Sequence, residues 1–222
     1  MSGAAALLDR LGRPGGVRLG AAHPETVPRL ATGLAALDAM LGGGIPRGRI
    51  TELAGPRSAG RTGLAAAIAA SATRAGETTA WVDPQDALDP EAAAAAGIAL
   101  AHLLWVRPQG VPDALRAAEI LLGAGGFGLV LLDVDPVTSG ARAWPRLARA
   151  AERTRSALLV VAPRRAAGTF AAIGLELGAR RVRWTGGPER LVLLEGIEAS
   201  LTVARSRLGR LGQSLVVRQA CA

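Results

Sequence analysis

From Arg29 onward the chain alternates between apolar runs of two lengths. Short runs such as GLVLLD and ALLVVA are apolar on both faces, as strands must be when helices cover a sheet from two sides. They predict strands at 49–54, 78–82, 103–106, 128–133 and 157–161. Between them, longer stretches with apolar positions three and four apart predict helices at 34–41, 61–74, 112–122 and 141–153, with a short one from Pro90. This βαβ rhythm implies an α/β domain whose mostly parallel central sheet is flanked by helices. The C-terminal runs ARRVRW, RLVLLE, SLTVARS and SLVVRQ follow one another with short turns and no helical spacing, which predicts an antiparallel C-terminal edge.

Before Arg29 the pattern changes. Ala4 to Leu11 predicts a short helix with Leu7, Leu8 and Leu11 on one face, a candidate partner-binding surface. Residues 13–28 are rich in Gly and Pro. The expected organisation is an N-terminal helix and arm over 1–28 and a single core over 29–222.

Composition narrows the function classes. With 222 residues and 50% apolar content, the chain can bury a core without disulfides or metals. No apolar run reaches the roughly 18 residues needed to span a bilayer, and the N-terminus makes a poor signal peptide, so a cytoplasmic protein without membrane attachment is expected. A lone Cys221 and two isolated histidines, His23 and His102, offer neither a metal site nor a Ser-His-Asp triad. The net charge of +8 is carried wholly by arginine, since lysine is absent, and it favours an acidic partner such as nucleic acid.

The strongest motif is GPRSAGRT, Gly55 to Thr62, placed between a predicted strand and a predicted helix. Gly55 and Gly60 allow the backbone to turn its N–H groups toward phosphate oxygens, and the helix N-terminus adds partial positive charge. Arg61 stands where the phosphate-loop pattern has lysine, and a planar guanidinium does not direct its charge as an ammonium does. Thr62 is available as a magnesium ligand, and Asp133, ending the strand GLVLLD, could hold the same ion through water, with Asp135 nearby.

With those residues in view, the chain resembles the RecA recombinase family. The resemblance is carried by TGLAALDAMLGGGIPRGRITELAGPRSAGRT, WVDPQDALDP, GLVLLDV and ALLVVAP in that order. It implies a RecA-like core in which Gln85 replaces a glutamate that positions the attacking water, and Pro163 falls about where a glutamine senses the γ-phosphate. With Arg61, three catalytic positions differ together. The resemblance therefore implies a vestigial nucleotide site (Gly55, Gly60, Arg61, Thr62, Gln85, Asp133) with no catalytic residues and no certain cofactor; ATP with magnesium could bind, but hydrolysis is not expected. The family's two DNA-binding loops correspond to a helix-like segment after Asp133 and a short RRAAGTFA, and its separate C-terminal domain is expected to be missing.

Within the family this pattern looks most like the ImuA group of accessory proteins. That implies a role in the SOS response and translesion synthesis, with RecA, ImuB and the error-prone polymerase complex as partners. Two other readings are an active RadA-type ATPase, with Asp83 or Asp86 as the base, and a SulA-like inhibitor of cell division. Arg142, Arg146, Arg149 and Arg153 share one face of the helix after Asp133, and with Arg164 and Arg165 they are candidates for weak binding of single-stranded DNA. Trp144 and Phe170 are the candidate stacking groups, while Trp81, Trp105 and Trp184 are expected in the core.

Overall fold

A computed structural model describes residues 27–135, 142–187, 192–208 and 211–220. The predicted helix with Leu7, Leu8 and Leu11 lies outside the described residues, as do most of the arm and Cys221.

The described chain opens with a two-stranded antiparallel ribbon, β1 (Arg29–Leu30) and β2 (Ile45–Pro46), which brackets helix α1 (Ala35–Leu41). Asp38 Oδ1 accepts 2.8 Å bonds from both the backbone N–H and the hydroxyl of Thr32, tying the turn to the helix it precedes. Glycine is obligatory at Gly44, where a β-carbon would come within 2.0 Å of the Leu30 carbonyl oxygen.

The predicted alternation follows. β3 (Ile50–Ala54), α2 (Arg61–Arg74), β4 (Thr79–Val82), α3 (Pro90–Ala95), β5 (Leu103–Val106), α4 (Gly110–Ala124), β6 (Leu129–Asp133), α5 (Trp144–Thr154) and β7 (Ala157–Ala162) succeed one another. β8 (Ala171–Thr185), β9 (Leu193–Ser206) and β10 (Ser214–Ala220) complete an eight-stranded sheet of order β10-β9-β8-β3-β7-β6-β4-β5. β8 runs parallel to β3, so the antiparallel edge comprises the β8–β9 and β9–β10 pairings.

Alternate residues of the parallel strands supply two cores. Leu53, Trp81, Leu129, Leu131 and Val161 pack beneath α1 and α2, while Ile50, Val82, Val130, Leu132 and Val160 pack beneath α4 and α5. This is why these strands are apolar without interruption.

Thr51, Glu52 and Thr79 are buried polar exceptions, and Glu52 is a carboxylate on the central strand that is 2% exposed. Between β7 and β8 the chain crosses the sheet in residues 163–170 with a single 3-10 turn rather than an α-helix. Glu52 Oε1 accepts the Ala166 and Ala167 N–H groups at 2.5 and 2.6 Å, anchoring that crossover to the sheet. Through Oε1 this buried side chain satisfies two backbone donors that lie over the sheet face, while its Oε2 has no hydrogen-bond partner.

Three expectations are corrected. Residues 171–178 form the first half of β8, which interleaved glycines and Glu176 had concealed. RLVLLE and SLTVARS are not separate strands: from Leu193 they are one, β9, running through Gly196 with register shifts against β8. The tryptophans exchange places, Trp144 being 3% exposed and packed in the second core while Trp184 is 61% exposed.

Candidate nucleotide site and basic face

The loop between β3 and α2 sits at the C-terminal end of the parallel strands, where α/β sheets bind ligands. Gly55 has no room for a side chain, since a β-carbon would lie 2.8 Å from Leu177 Cβ and 3.0 Å from the Leu177 carbonyl oxygen. Ser58 and Gly60 adopt left-handed conformations, φ 60° and 92°, so the chain turns sharply before α2 begins at Arg61. Thr62 is exposed in the first turn. The backbone thus has the form of a phosphate loop.

Side chains around it turn toward one another. Arg61 is only 11% exposed; its Nη2 lies 3.9 Å from Asp135 Oδ2 and its Nη1 is buried without a partner. Arg57, on the rim, approaches the same Asp135 oxygen with Nε at 3.2 Å. Burial pushes the Asp133 carboxyl up to about 6; the Arg61 charge opposes that rise, and Asp83 and Asp135 reinforce it.

Gln85 directs its amide Nε2 to the Asp135 backbone carbonyl at 2.9 Å, fastening the turn after β4 to the end of β6. A glutamate could not make that bond when ionised, because a carboxylate has no donor. The carboxylates weighed as substitute bases are otherwise engaged. Asp83, 2% exposed, accepts the N–H groups of Gln85, Ala87 and Leu88 at 3.2, 2.8 and 2.9 Å and the Trp105 indole N–H at 3.3 Å. Asp86 lies 3.6 Å from Arg107, which itself stacks over Trp105 at 4.6 Å. Pro163 follows β7 directly at the head of the short crossover.

The basic candidates gather on the other side of the sheet. Helix α5 packs against the 163–170 crossover through the second core, so Arg142, Arg146, Arg149, Arg153, Arg164 and Arg165 belong to one outer layer. All six are exposed, but Arg146 pairs with Glu119 at 3.1 Å and Arg165 with Glu176 at 3.0 Å. Buried Trp144 cannot stack on a base from there, whereas Phe170, 40% exposed, can.

Sequence reasoning missed Arg57, although it lies within the loop motif. Its pairing with Asp135 spans 78 residues, and no local periodicity reports such a contact.

A glycine-supported strand-loop-helix turn at the ligand end of a doubly covered parallel sheet defines an α/β protein of the phosphate-loop class. The chain belongs to the RecA family, whose N-terminal domain model matches residues 4–143. It is 45% identical to Protein RecA of Deinococcus radiodurans over 118 residues, covering 53% of this chain and 32% of that protein. Protein RecA of Rubrobacter xylanophilus is 42% identical over 118 residues, covering 53% and 34%. The chain therefore spans about a third of the length of these curated relatives. Among solved structures, the RadB recombinase superposes with a TM-score of 0.65 at 19% identity, covering 85% of this chain and 95% of that one, a likeness of fold.

The fold family implies magnesium beside bound nucleotide, with Thr62 and Asp133 as its holders. The surroundings do not fit a divalent ion well: the neighbouring carboxylate, Asp135, is faced by Arg57 and Arg61, and Asp133 is both desolvated and within the field of Arg61.

Proposed function

We propose that this protein is a RecA-family accessory factor that does not hydrolyse ATP and acts in DNA-damage-induced translesion synthesis through binding to RecA, ImuB or both. The observation that carries the reading is the Gln85 amide donating to the Asp135 carbonyl, in the place where the RecA resemblance puts a glutamate that positions water. An amide neither takes up nor releases a proton near neutral pH, and Asp83, on the same turn, spends its acceptors on the backbone of that turn and on the Trp105 indole.

The ATPase reading would need Asp83 or Asp86 as base, and neither environment favours it. The retained loop geometry weighs against a SulA-like division inhibitor. The exposed arginines on α5 and the crossover support weak, salt-sensitive contact with single-stranded DNA in the same role.

The test is equilibrium binding of the full chain to RecA filaments and to purified ImuB. Binding to at least one partner is expected, weakened by deletion of residues 1–16 with no change in thermal stability. A folded protein that binds neither would overturn the reading.

A further inference from the structure

At the end of the sheet away from the Gly55–Thr62 loop lies a cleft of about 340 Å³. Ala54 pairs with Ala162 and Ile50 with Ala171, so the 163–170 crossover runs the length of β3, about 13 Å at 3.3 Å per residue. Arg164 and Arg165 therefore stand near one end of that strand and Phe170 near the other. The cleft opens where Phe170 arrives, between the start of β3, α5 and the segment that follows β9.

Its walls are fixed by the backbone. The Gly48 N–H donates to the Ser156 carbonyl at 3.0 Å and the Arg207 N–H to the Ala172 carbonyl at 2.9 Å, and a β-carbon on Gly48 would lie 3.4 Å from Glu152 Cα. Phe170, 40% exposed, and the half-buried Leu208 make its apolar side. On the polar side Arg49 and Glu152 pair at 2.5 Å and neutralise each other. Exposed Arg207 adds a guanidinium with no partner among the described residues. Arg155, also exposed and unpaired among them, follows α5 beside Gly48. An apolar surface and an excess of positive charge thus meet in one cleft.

We propose that this cleft docks an acidic peptide segment of a protein partner, one apolar side chain of the segment entering beside Phe170 and Leu208 and an adjacent carboxylate pairing with Arg207. The assignment rests on the accessory reading only for the existence of a protein partner; it adds the surface and the chemistry that this surface selects.

The composition of the cleft favours a peptide over a nucleic acid strand. Glu152, its side chain 61% exposed, repels phosphates but can accept a peptide N–H. One ring borders a volume in the size range of ligand pockets, whereas a surface that tracks a single strand carries successive stacking groups along a groove. The length of β3 also separates this ring from Arg164 and Arg165. The partner must be acidic because an apolar side chain alone would cover Arg207 and Arg155 without supplying a counter-charge.

The experiment is fluorescence anisotropy of the full chain with labelled pools of short peptides. In one pool leucine or phenylalanine alternates with aspartate and glutamate; in two others the same apolar residues alternate with asparagine and glutamine, or with lysine; a last, acidic pool has alanine at the apolar positions. The acidic, apolar pool should bind at least about tenfold more tightly than each of the others. Arg207→Glu should lower that affinity at least about tenfold and Phe170→Ser about fivefold, with melting temperatures unchanged because both side chains are exposed. Trp184→Ala, which removes an exposed ring from the far end of β8, should leave binding unaltered.

Absence of a preference for the acidic pool would overturn the proposal, as would full binding by folded Arg207→Glu. Loss of oligothymidine binding in Phe170→Ser and Arg207→Glu, with peptide binding retained, would assign the cleft to nucleic acid instead. RecA and ImuB are absent from these titrations, so a chain that binds the acidic pool but neither protein would contradict the accessory reading alone.

Discussion

The parallel and antiparallel halves of the sheet are built from similar residues but held differently. β4, β6 and β7 contribute to both apolar cores, whereas β9 contributes to only one, and its partner β8 to the second only through Ala171. Trp81 on β4 is 1% exposed; Trp184, near the end of β8, is 61% exposed, and Leu194, paired with it on β9, is 39% exposed. The half enclosed by helices on two sides holds the Gly55–Thr62 loop and the acidic turns beside it in place. The other half runs beyond its helical cover and leaves apolar side chains on the surface. The same residue type thus has a structural role on one strand and none on the other.

Truncation separates the two halves most sharply. Trp81→Ala should cost about 4 kcal/mol in chemical denaturation, the usual range for emptying a buried aromatic site. An effect below about 1 kcal/mol would mean that the parallel half is less tightly packed than it appears from burial.

The turn that follows β4 should respond nearly as strongly. Asp83→Ala leaves three backbone N–H groups and an indole N–H without their acceptor, and a loss of about 3 kcal/mol is expected by the same measurement.

Asp133 gives a smaller effect with a defined sign. Its folded value of about 6 lies above the ordinary 3.8, so the folded state binds this proton more tightly than the unfolded chain does. Stability from this group is therefore present at low pH and declines as pH rises between 3.8 and 6. Asp133→Asn should remove that decline and, by pH 8, stabilise the protein by about 2 kcal/mol relative to wild type. Equal pH profiles for the two proteins would contradict it.

In the exposed half, Trp184→Ala should change stability by less than about 0.5 kcal/mol. A larger loss would place Trp184 in a packed environment and remove the contrast.

The same contrast explains what could be read from the sequence. β3, its glycine loop and α2, together with β6 and β7, were legible because a doubly covered strand must be apolar throughout and a glycine loop carries its own conformational signature. The first half of β8 was not, since Gly174, Glu176 and Gly178 break the run; they are accommodated by an Arg165–Glu176 ion pair and by close approach to Ser200. The exchange of Trp144 and Trp184 was equally hidden, because exposure depends on which layer lies overhead. At the site, the loop residues Gly55, Gly60 and Arg61 were readable, but the convergence of Arg57, Arg61 and Gln85 on Asp135 is a tertiary event across 50 to 78 residues. The proposed non-hydrolysing role rests on that convergence.

The most direct measurement of that central claim is phosphate release from ATP by the purified protein with magnesium and single-stranded DNA, at enzyme concentrations high enough to detect slow turnover. The account predicts no release above the protein-free control, with or without DNA. Release that DNA stimulates and that Asp133→Asn abolishes would contradict it.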